Sequence, residues 1–344
     1  MNTAFDTIIA SSDADRAGLF AETATRLGTP AQNVEKDFWV CWTLDALFNG
    51  LPEGSPRLLF KGGTSLSKAF DLIPRFSEDI DITVFREDIG QPVDPAELEE
   101  LSGKQRRIRL NQIRDACQAY IGGPLADQLR ERLAAFGNER LRVELDSDDT
   151  DSQTLLLWYP TALARDGDYI RSAVKIEAGA KSALDPHRPA TVQPYVAQEL
   201  PDLDLKVGNV TTVDAERTFW DKVIIVHGLR QRYEQSGELH RGGQRVSRHY
   251  FDLHQLMHAQ GVTEWLQNKA LAADCARHAR LFFGSPAAGL DRAAHGTFTL
   301  TPPAAMGEAL QRDYVAMSGM IFGPVPEFAA VLERIAEIES IINS

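Results

Sequence analysis

The sequence predicts an α+β protein, with strands and helices together in residues 1–205 and a helical C-terminal lobe in residues 206–344. Three observations lead there. Segments with strand alternation fill the stretch before residue 205 and long helical periodicities follow it. A strand, a Gly-Gly turn, a helix and a second strand succeed one another between residues 57 and 84. The 344 residues, 43% of them hydrophobic, suffice for one large domain or two ordinary ones with cores of their own.

The elements follow in order. Thr29-Pro30 reads as a helix start, Thr29 capping and Pro30 in the first turn. Val34, Phe38, Cys41, Trp42, Asp45 and Phe48 recur at helical spacing until Asn49-Gly50 ends the segment. Apart from Asp45 this face is apolar, which makes packing its task. The charges of Glu35-Lys36-Asp37 beside it read as a structural ion pair. Arg57 to Phe60 is a short strand that stops at Gly62-Gly63, where a backbone without Cβ atoms can approach a ligand closely. Thr64 or Ser65 then caps a helix through Leu66, Ala69 and Phe70. A helix start of this kind favours phosphate.

Ile80, Ile82 and Val84 alternate with Asp79, Asp81 and Thr83. Period two sets both aspartates on one face of a strand. Two such carboxylates repel unless a cation sits between them, and hard oxygen ligands suit Mg²⁺ together with the phosphates of a substrate.

Residues 95–121 have helical composition. Strands follow near 140–146, 154–159, 170–178 and 191–197, with the acidic run from Ser147 to Ser152 as a hairpin loop. In the third of these strands Val174, Ile176 and Ala178 face one way and Lys175 and Glu177 the other. Glu177 is thereby placed to share a face with something polar; by alternation alone it can equally be an ordinary surface glutamate on an edge strand. The helical region begins around Asn209. Its first helix, capped by Asp214, carries Phe219, Trp220, Val223 and Val226 on its apolar face, with Glu216 and Lys222 off it. Gln235 to Gln244 reads as a mobile glycine-rich loop.

Composition excludes several classes. No apolar run approaches the length of a membrane span and no basic-then-apolar leader opens the chain, so export and membrane insertion are not expected. Three cysteines without close spacing, Cys41, Cys117 and Cys275, fit buried thiols in the cytoplasm. A net charge of -13 opposes indiscriminate nucleic-acid binding, so any RNA contact must be local. Lys104, Arg106, Arg107, Arg109 and Arg114 form one basic stretch, read as a solvated helix face. Arg230, Arg232, Arg241, Arg245 and Arg248 form another, from which Arg241, Arg245 and Arg248 are the RNA-binding candidates. His254 and His258 have metal-ligand spacing but lack a following Glu and a third ligand.

The run Gly62-Gly63-Thr64-Ser65, followed by Ser77-Glu78-Asp79-Ile80-Asp81, resembles the polymerase-beta-type nucleotidyltransferases. The longer wording, Phe60-Lys61-Gly62-Gly63-Thr64-Ser65-Leu66-Ser67-Lys68 and Arg75-Phe76-Ser77-Glu78-Asp79-Ile80-Asp81, is similar to the AbiEii/AbiGii toxin family, which includes the MenT toxins of type IV toxin–antitoxin pairs. Glu35-Lys36-Asp37-Phe38-Trp39 and Val174 to Lys181 also resemble family segments, with Lys181 where arginine is more usual. Glu216-Arg217-Thr218-Phe219-Trp220-Asp221-Lys222 resembles the third family motif. Arg248-His249-Tyr250-Phe251-Asp252-Leu253 resembles the fourth, with Phe251 in place of a tyrosine, and the likeness reaches the closing segments around Asp313 to Gly323 and Phe328 to Asn343.

The resemblance implies a mixed-sheet nucleotidyltransferase core with a helical lobe and a cleft between them for a nucleoside triphosphate and Mg²⁺ or Mn²⁺. It implies Asp79, Asp81 and Glu177 as metal and catalytic carboxylates. Lys61, Gly62, Gly63, Thr64, Ser65 and Ser77 would hold phosphates, and Lys222 would steady the triphosphate. Asp252 would orient Lys222 or the acceptor; from spacing alone it is equally a helix partner for Arg248. The implied reaction is nucleotide addition to the 3′ end of tRNA, which stops translation in abortive infection and phage defence, with an antitoxin from a neighbouring gene. Transfer to a protein hydroxyl, or nucleotide binding without catalysis, are the alternatives.

Overall fold

The structure is a computed structural model that describes residues 1–163, 171–239 and 245–344. In chain order the described elements are α1 (Ala4–Ile9), α2 (Asp13–Leu27), α3 (Ala31–Asn49), β1 (Leu58–Lys61), α4 (Gly62–Lys68), β2 (Asp79–Val84), α5 (Pro95–Glu100), α6 (Gly103–Tyr120), α7 (Ala126–Ala134), β3 (Arg142–Leu145), β4 (Thr154–Trp158), β5 (Ala173–Gly179), β6 (His187–Val192), β7 (Val207–Val213), α8 (Ala215–Ser236), α9 (Ser247–Leu256), α10 (Val262–Gln267), α11 (Lys269–Phe283), α12 (Ala304–Met317) and α13 (Phe328–Ile342). The residues group into two compact units: 1–69, 76–94 and 101–213 in the first, and 70–75, 95–100 and 214–344 in the second.

The first unit is built on a mixed seven-stranded sheet in the order β3-β4-β5-β2-β1-β7-β6. At its centre β2 runs antiparallel to β1 and parallel to β5. The predicted alternation of β2 is present: Ile80 and Ile82 are wholly buried while Asp79 and Asp81 remain half-buried on the other face. The hairpin predicted across the acidic loop is the antiparallel pair β3–β4.

Helix α3 packs against β2, β5 and β7 of this sheet. Its side chains are buried all the way round from Asn33 to Leu47, not on one apolar face. Phe38 meets the rings of Phe5 and Phe20 at 5.4 and 6.0 Å, and Trp39 stacks on Tyr159 at 5.3 Å. A helix hydrophobic on every side sits inside a core. Its charged residues must therefore find partners.

Several sequence expectations shift. Helix α3 starts one residue later than read, with Pro30 at the N-cap and the Thr29 hydroxyl accepting from Asn33 Nδ2 at 2.9 Å. Helix α4 starts at Gly62 and ends at Lys68, so Thr64 and Ser65 lie inside it and Phe70 beyond it. The single helix expected over 95–121 is broken before Gly103. Ser102 caps α6 there in a reciprocal capping box with Gln105, a start signal stronger than the continuing periodicity. The strand expected at 191–197 ends at Val192, and Pro194 leads into a short 3₁₀ turn, Tyr195–Gln198.

The helical region does not begin near Asn209: Val207–Val213 is strand β7, paired with β1 and β6. Gly208 and the left-handed Asn209 (φ 58°) give it the look of a loop. The first helix of the second unit follows at Ala215 with Asp214 as N-cap residue.

In that unit α8 buries Phe219, Trp220, Val223 and Val226, α9 buries Tyr250, Phe251 and Leu253, and α13 buries Val331, Ile335 and Ile338. Gln235 and Ser236, read as loop, close α8, and Gly237 ends it in the left-handed conformation (φ 71°). The rest of the predicted glycine-rich loop lies largely outside the described residues. Two segments from earlier in the chain join this unit. Pro74 O accepts from Phe322 N at 2.8 Å, and Glu99 of α5 pairs with Arg277 of α11 at 2.8 Å. Among the described residues, no helix is long and apolar enough to cross a membrane.

Candidate active site

The acidic site of the first unit is assembled by the register of three strands. Lys61 stands opposite Asp81 across the β1–β2 pair, and its Nζ lies 3.7 Å from Asp81 Oδ1. On the other side Asp79 is level with Lys175 of β5, and Asp81 with Glu177. Glu177 is therefore a neighbour of the aspartates in a central strand, not a lone edge-strand glutamate. Its carboxylate pairs with Lys175 Nζ at 2.6 Å.

Gly62 follows β1 with φ 80°. A Cβ placed on it would lie 2.2 Å from Asp81 Oδ2. The close approach that the glycine pair predicted is thus one between backbone and the Asp81 carboxylate. A side chain of any kind at this position would displace that carboxylate, and the positive φ adds a conformational penalty.

The hydroxyls of the turn are otherwise engaged than expected. Ser65 is wholly buried and donates to Gly62 O at 2.9 Å. Thr64, also buried, lies 2.8 Å from Ser77 Oγ and bonds the carbonyl oxygen of Asp79. Thr64 ties the turn to β2, while Ser65 bonds within the turn itself. Lys61, Gly62, Gly63 and Ser77 remain half-buried and are what this motif has to offer a phosphate.

Burial first, then the charges of Glu78, Glu177 and Asp81, push the Asp79 carboxyl up to about 6, while Lys36 opposes them. A carboxylate so placed is costly to keep charged unless a cation joins it. The donor set, carboxylate oxygens on one strand, fits a hard divalent ion. Among the described residues no group of three or more His, Cys, Asp or Glu side chains is arranged to hold one. Such an ion would be held by Asp79 and Asp81 and would take its other ligands from phosphate oxygens and water, as Mg²⁺ usually does. His254 and His258 approach each other, ring centres 5.5 Å apart, without a third ligand among the described residues.

Lys222 and Asp252 come together inside the second unit. Lys222, expected off the apolar face of its helix, is buried, and its Nζ lies 2.8 Å from Asp252 Oδ2. Asp252 is wholly buried and takes a second cation from a distant part of the chain, not from Arg248 on its own helix. Arg75 Nε donates to Oδ1 at 2.7 Å and its Nη2 to Oδ2 at 2.9 Å. Burial alone would raise the Asp252 carboxyl, but Arg75 and Lys222 outweigh it and hold the group well below the usual carboxylate range. Lys222 is pulled down by burial and by Arg75 and Arg248, against the attraction of Asp252. His249 beside them is kept neutral by burial and the same cations.

Arg75 carried no role in the sequence reading. A signal was present: an arginine set between Ile73-Pro74 and Phe76, in a segment otherwise fit for burial, needs a carboxylate partner. Of the RNA-binding candidates, Arg248 is exposed, Arg245 is half-buried with Nη1 against Met320 Sδ at 2.6 Å, and Arg241 lies outside the described residues. On α6, Arg109 bonds Gln91 and Pro92, Arg114 pairs with Asp115, and Lys104 and Arg107 are exposed, as a solvated helix face requires.

Comparison with known proteins bears on the whole chain. No curated protein matches it. Among solved structures, MenT4, a nucleotidyltransferase toxin from Mycobacterium tuberculosis H37Rv, superimposes with a TM-score of 0.48 at 14% identity, covering 94% of this chain and 89% of that one. The family model described as nucleotidyl transferase AbiEii toxin, type IV TA system, matches residues 45–334, which takes in the glycine turn, Asp79, Asp81, Glu177, Arg75, Lys222 and Asp252. The chain belongs to the AbiEii family of nucleotidyl transferase toxins of type IV toxin–antitoxin systems.

Proposed function

We propose that this nucleotidyltransferase toxin transfers nucleotides from a nucleoside triphosphate to the 3′ end of tRNA in a reaction that requires Mg²⁺ or Mn²⁺. The observation that carries the proposal is the pair Asp79 and Asp81, side by side on β2 with the Gly62 backbone against the second carboxylate and Glu177 level with it. Asp79 and Asp81 hold the divalent ion. When bound, it would supply polarisation of the phosphoryl oxygens and of the leaving pyrophosphate. Lys61, Gly62, Gly63 and Ser77 line the approach of the phosphates. Glu177 accepts the proton of the acceptor hydroxyl as it attacks the α-phosphorus. Its carboxylate is held by Lys175 Nζ at 2.6 Å.

The buried trio in the second unit holds two cations against one carboxylate, a net charge of one. This surplus favours a polyphosphate, and Lys222 as a compact point charge suits the triphosphate. Asp252 and Arg75 keep that lysine in place. Arg248, exposed, is the proposed RNA contact that best suits a chain of net charge -13, with Arg245 and Arg241 as its companions. The acceptor, the antitoxin partner and the setting in abortive infection follow from family membership. A cytoplasmic site of action accords with three cysteines that are free and buried.

The test is incubation of the purified protein with Mg²⁺, total tRNA and each nucleoside triphosphate labelled at the α-phosphate in turn. Label on the tRNA 3′ end, absent with EDTA, supports the proposal. Label on protein alone moves the reading to a protein hydroxyl as acceptor, and a triphosphate bound without turnover moves it to a regulator.

A further inference from the structure

Three consecutive charged residues on α3 have no place in the chemistry above, yet each is buried and each reaches a different element. Glu35 accepts from Thr161 Oγ1 at 2.6 Å and from Ala162 N at 2.7 Å. Lys36, 5% exposed, holds Glu78 with Nζ 2.5 Å from Oε2. Asp37 grips Lys68 at 2.6 Å, with both side chains buried; it also accepts from Tyr195 N at 2.7 Å, and the Tyr195 ring lies under Lys68 Nζ at 3.7 Å. Successive helical residues point about 100° apart, which is how neighbours can serve three partners.

Two of those partners lie on the segments that lead into the acidic motif. Lys68 ends α4, the helix that begins at Gly62, and Glu78 directly precedes Asp79. Thr64 adds the bond to Asp79 O and the contact with Ser77 Oγ. The segment Ser77-Glu78-Asp79 is thus held from α4 by Thr64 and from α3 by Lys36. Successive residues of an extended chain project to opposite sides, so fixing Glu78 toward α3 directs Asp79 toward the opposite face, where Asp81 stands.

We propose that Lys36 is a positioning residue for the divalent ion: its link to Glu78 sets the entry into β2 so that Asp79 and Asp81 face the ion together. The inference rests on the metal reading given under Proposed function. Partners that hold metal ligands from behind typically matter by 10–100-fold in affinity, and a link through one adjacent residue places this effect at about tenfold.

The test is Mn²⁺ binding by the full-length, nucleotide-free protein, with free Mn²⁺ measured by electron paramagnetic resonance. The variants are Lys36→Met, Glu78→Gln, the two combined, and Asp81→Ala. Positioning predicts that both single variants and the double bind Mn²⁺ about tenfold more weakly, the double no worse than either single, because all three break one link. An influence through charge alone predicts tighter binding in Lys36→Met, weaker binding in Glu78→Gln and wild-type binding in the double, and that pattern overturns the inference. So does unchanged binding in all three. The double leaves no unpaired charge behind, so it decides between the two patterns even if Lys36→Met alone does not fold. Absence of Mn²⁺ binding in the wild type, or unaltered binding in Asp81→Ala, overturns the metal reading itself and the inference with it.

Discussion

Replacing Asp79 by Asn should stabilise the metal-free protein near neutral pH while removing its activity. Asp79 has an ordinary value of 3.8 and is pushed up to about 6 in the folded chain by burial and by its acidic neighbours. The folded state therefore holds the proton more tightly than the unfolded state. Stability is fully present below about pH 4, falls as the pH rises to about 6, and stays at the lower level above. At about 1.4 kcal/mol per tenfold change in proton affinity, the ceiling is about 3 kcal/mol. Because Asp79 is only half-buried, solvent screening brings the expected figure to about 1–2 kcal/mol. Asn carries no charge at any pH and escapes this loss. For a chain of this size that is a gain of about 1–3 °C in Tm at pH 8. The assay is thermal unfolding in EDTA at pH 5 and pH 8 for both proteins, with the change between the two pH values compared. Mg²⁺ should then raise Tm in the wild type and not in Asp79→Asn. A variant whose Tm falls from pH 5 to pH 8 as steeply as that of the wild type would refute the reasoning.

Other expectations follow from the same geometry. Gly62→Ala puts a methyl group where Asp81 Oδ2 now lies and adds about 1 kcal/mol of backbone strain; transfer should drop at least about 100-fold while circular dichroism stays unchanged, and near-normal turnover would dismiss the close approach. Asp252→Asn leaves Arg75 and Lys222 buried without their carboxylate, so the second unit should lose about 3–5 kcal/mol, read as a lower midpoint in urea. Lys222→Met keeps the Arg75–Asp252 pair and the packing; its main effect should be a higher KM for the nucleoside triphosphate, and an unchanged KM would remove Lys222 from nucleotide handling.

The acidic strand was legible because its signal is local. Ile80, Ile82 and Val84 declare the buried face, and the two aspartates must then share the other. Glu177 could be placed on a polar face by the same alternation, but its place level with Asp81 depends on which strands pair, and register is a property of the assembled sheet. Strand β7 escaped notice because its valines, Val207, Val210 and Val213, recur every third residue instead of every second, and Gly208-Asn209 between them reads as a loop. Thr64 and Ser65 were read as caps of the helix start; they lie inside α4 instead, their hydroxyls bonded to the carbonyl oxygens of Asp79 and Gly62, because a buried hydroxyl in the first turn finds backbone oxygen more readily than solvent.

Charged residues in helices were the least legible. Lys222 looks solvated by spacing, and only the carboxylate of Asp252, thirty positions on, accounts for its burial. Arg75 has the same explanation at a separation of 177 residues. Glu35, Lys36 and Asp37 read as one ion pair and are three independent attachments. In each case the chemistry of the residue demanded a partner, which the sequence implied, while the identity of that partner belongs to tertiary contacts that no local pattern encodes.

The central claim is that Asp79 and Asp81 carry a metal-dependent transfer that releases pyrophosphate, and pyrophosphate release coupled to an acceptor tests it most directly. Wild-type protein with Mg²⁺, a nucleoside triphosphate and tRNA should release one pyrophosphate for each nucleotide added to the RNA, and Asp81→Ala, folded by circular dichroism, should release none. Pyrophosphate release that persists in Asp81→Ala, or that proceeds in EDTA, would contradict the account.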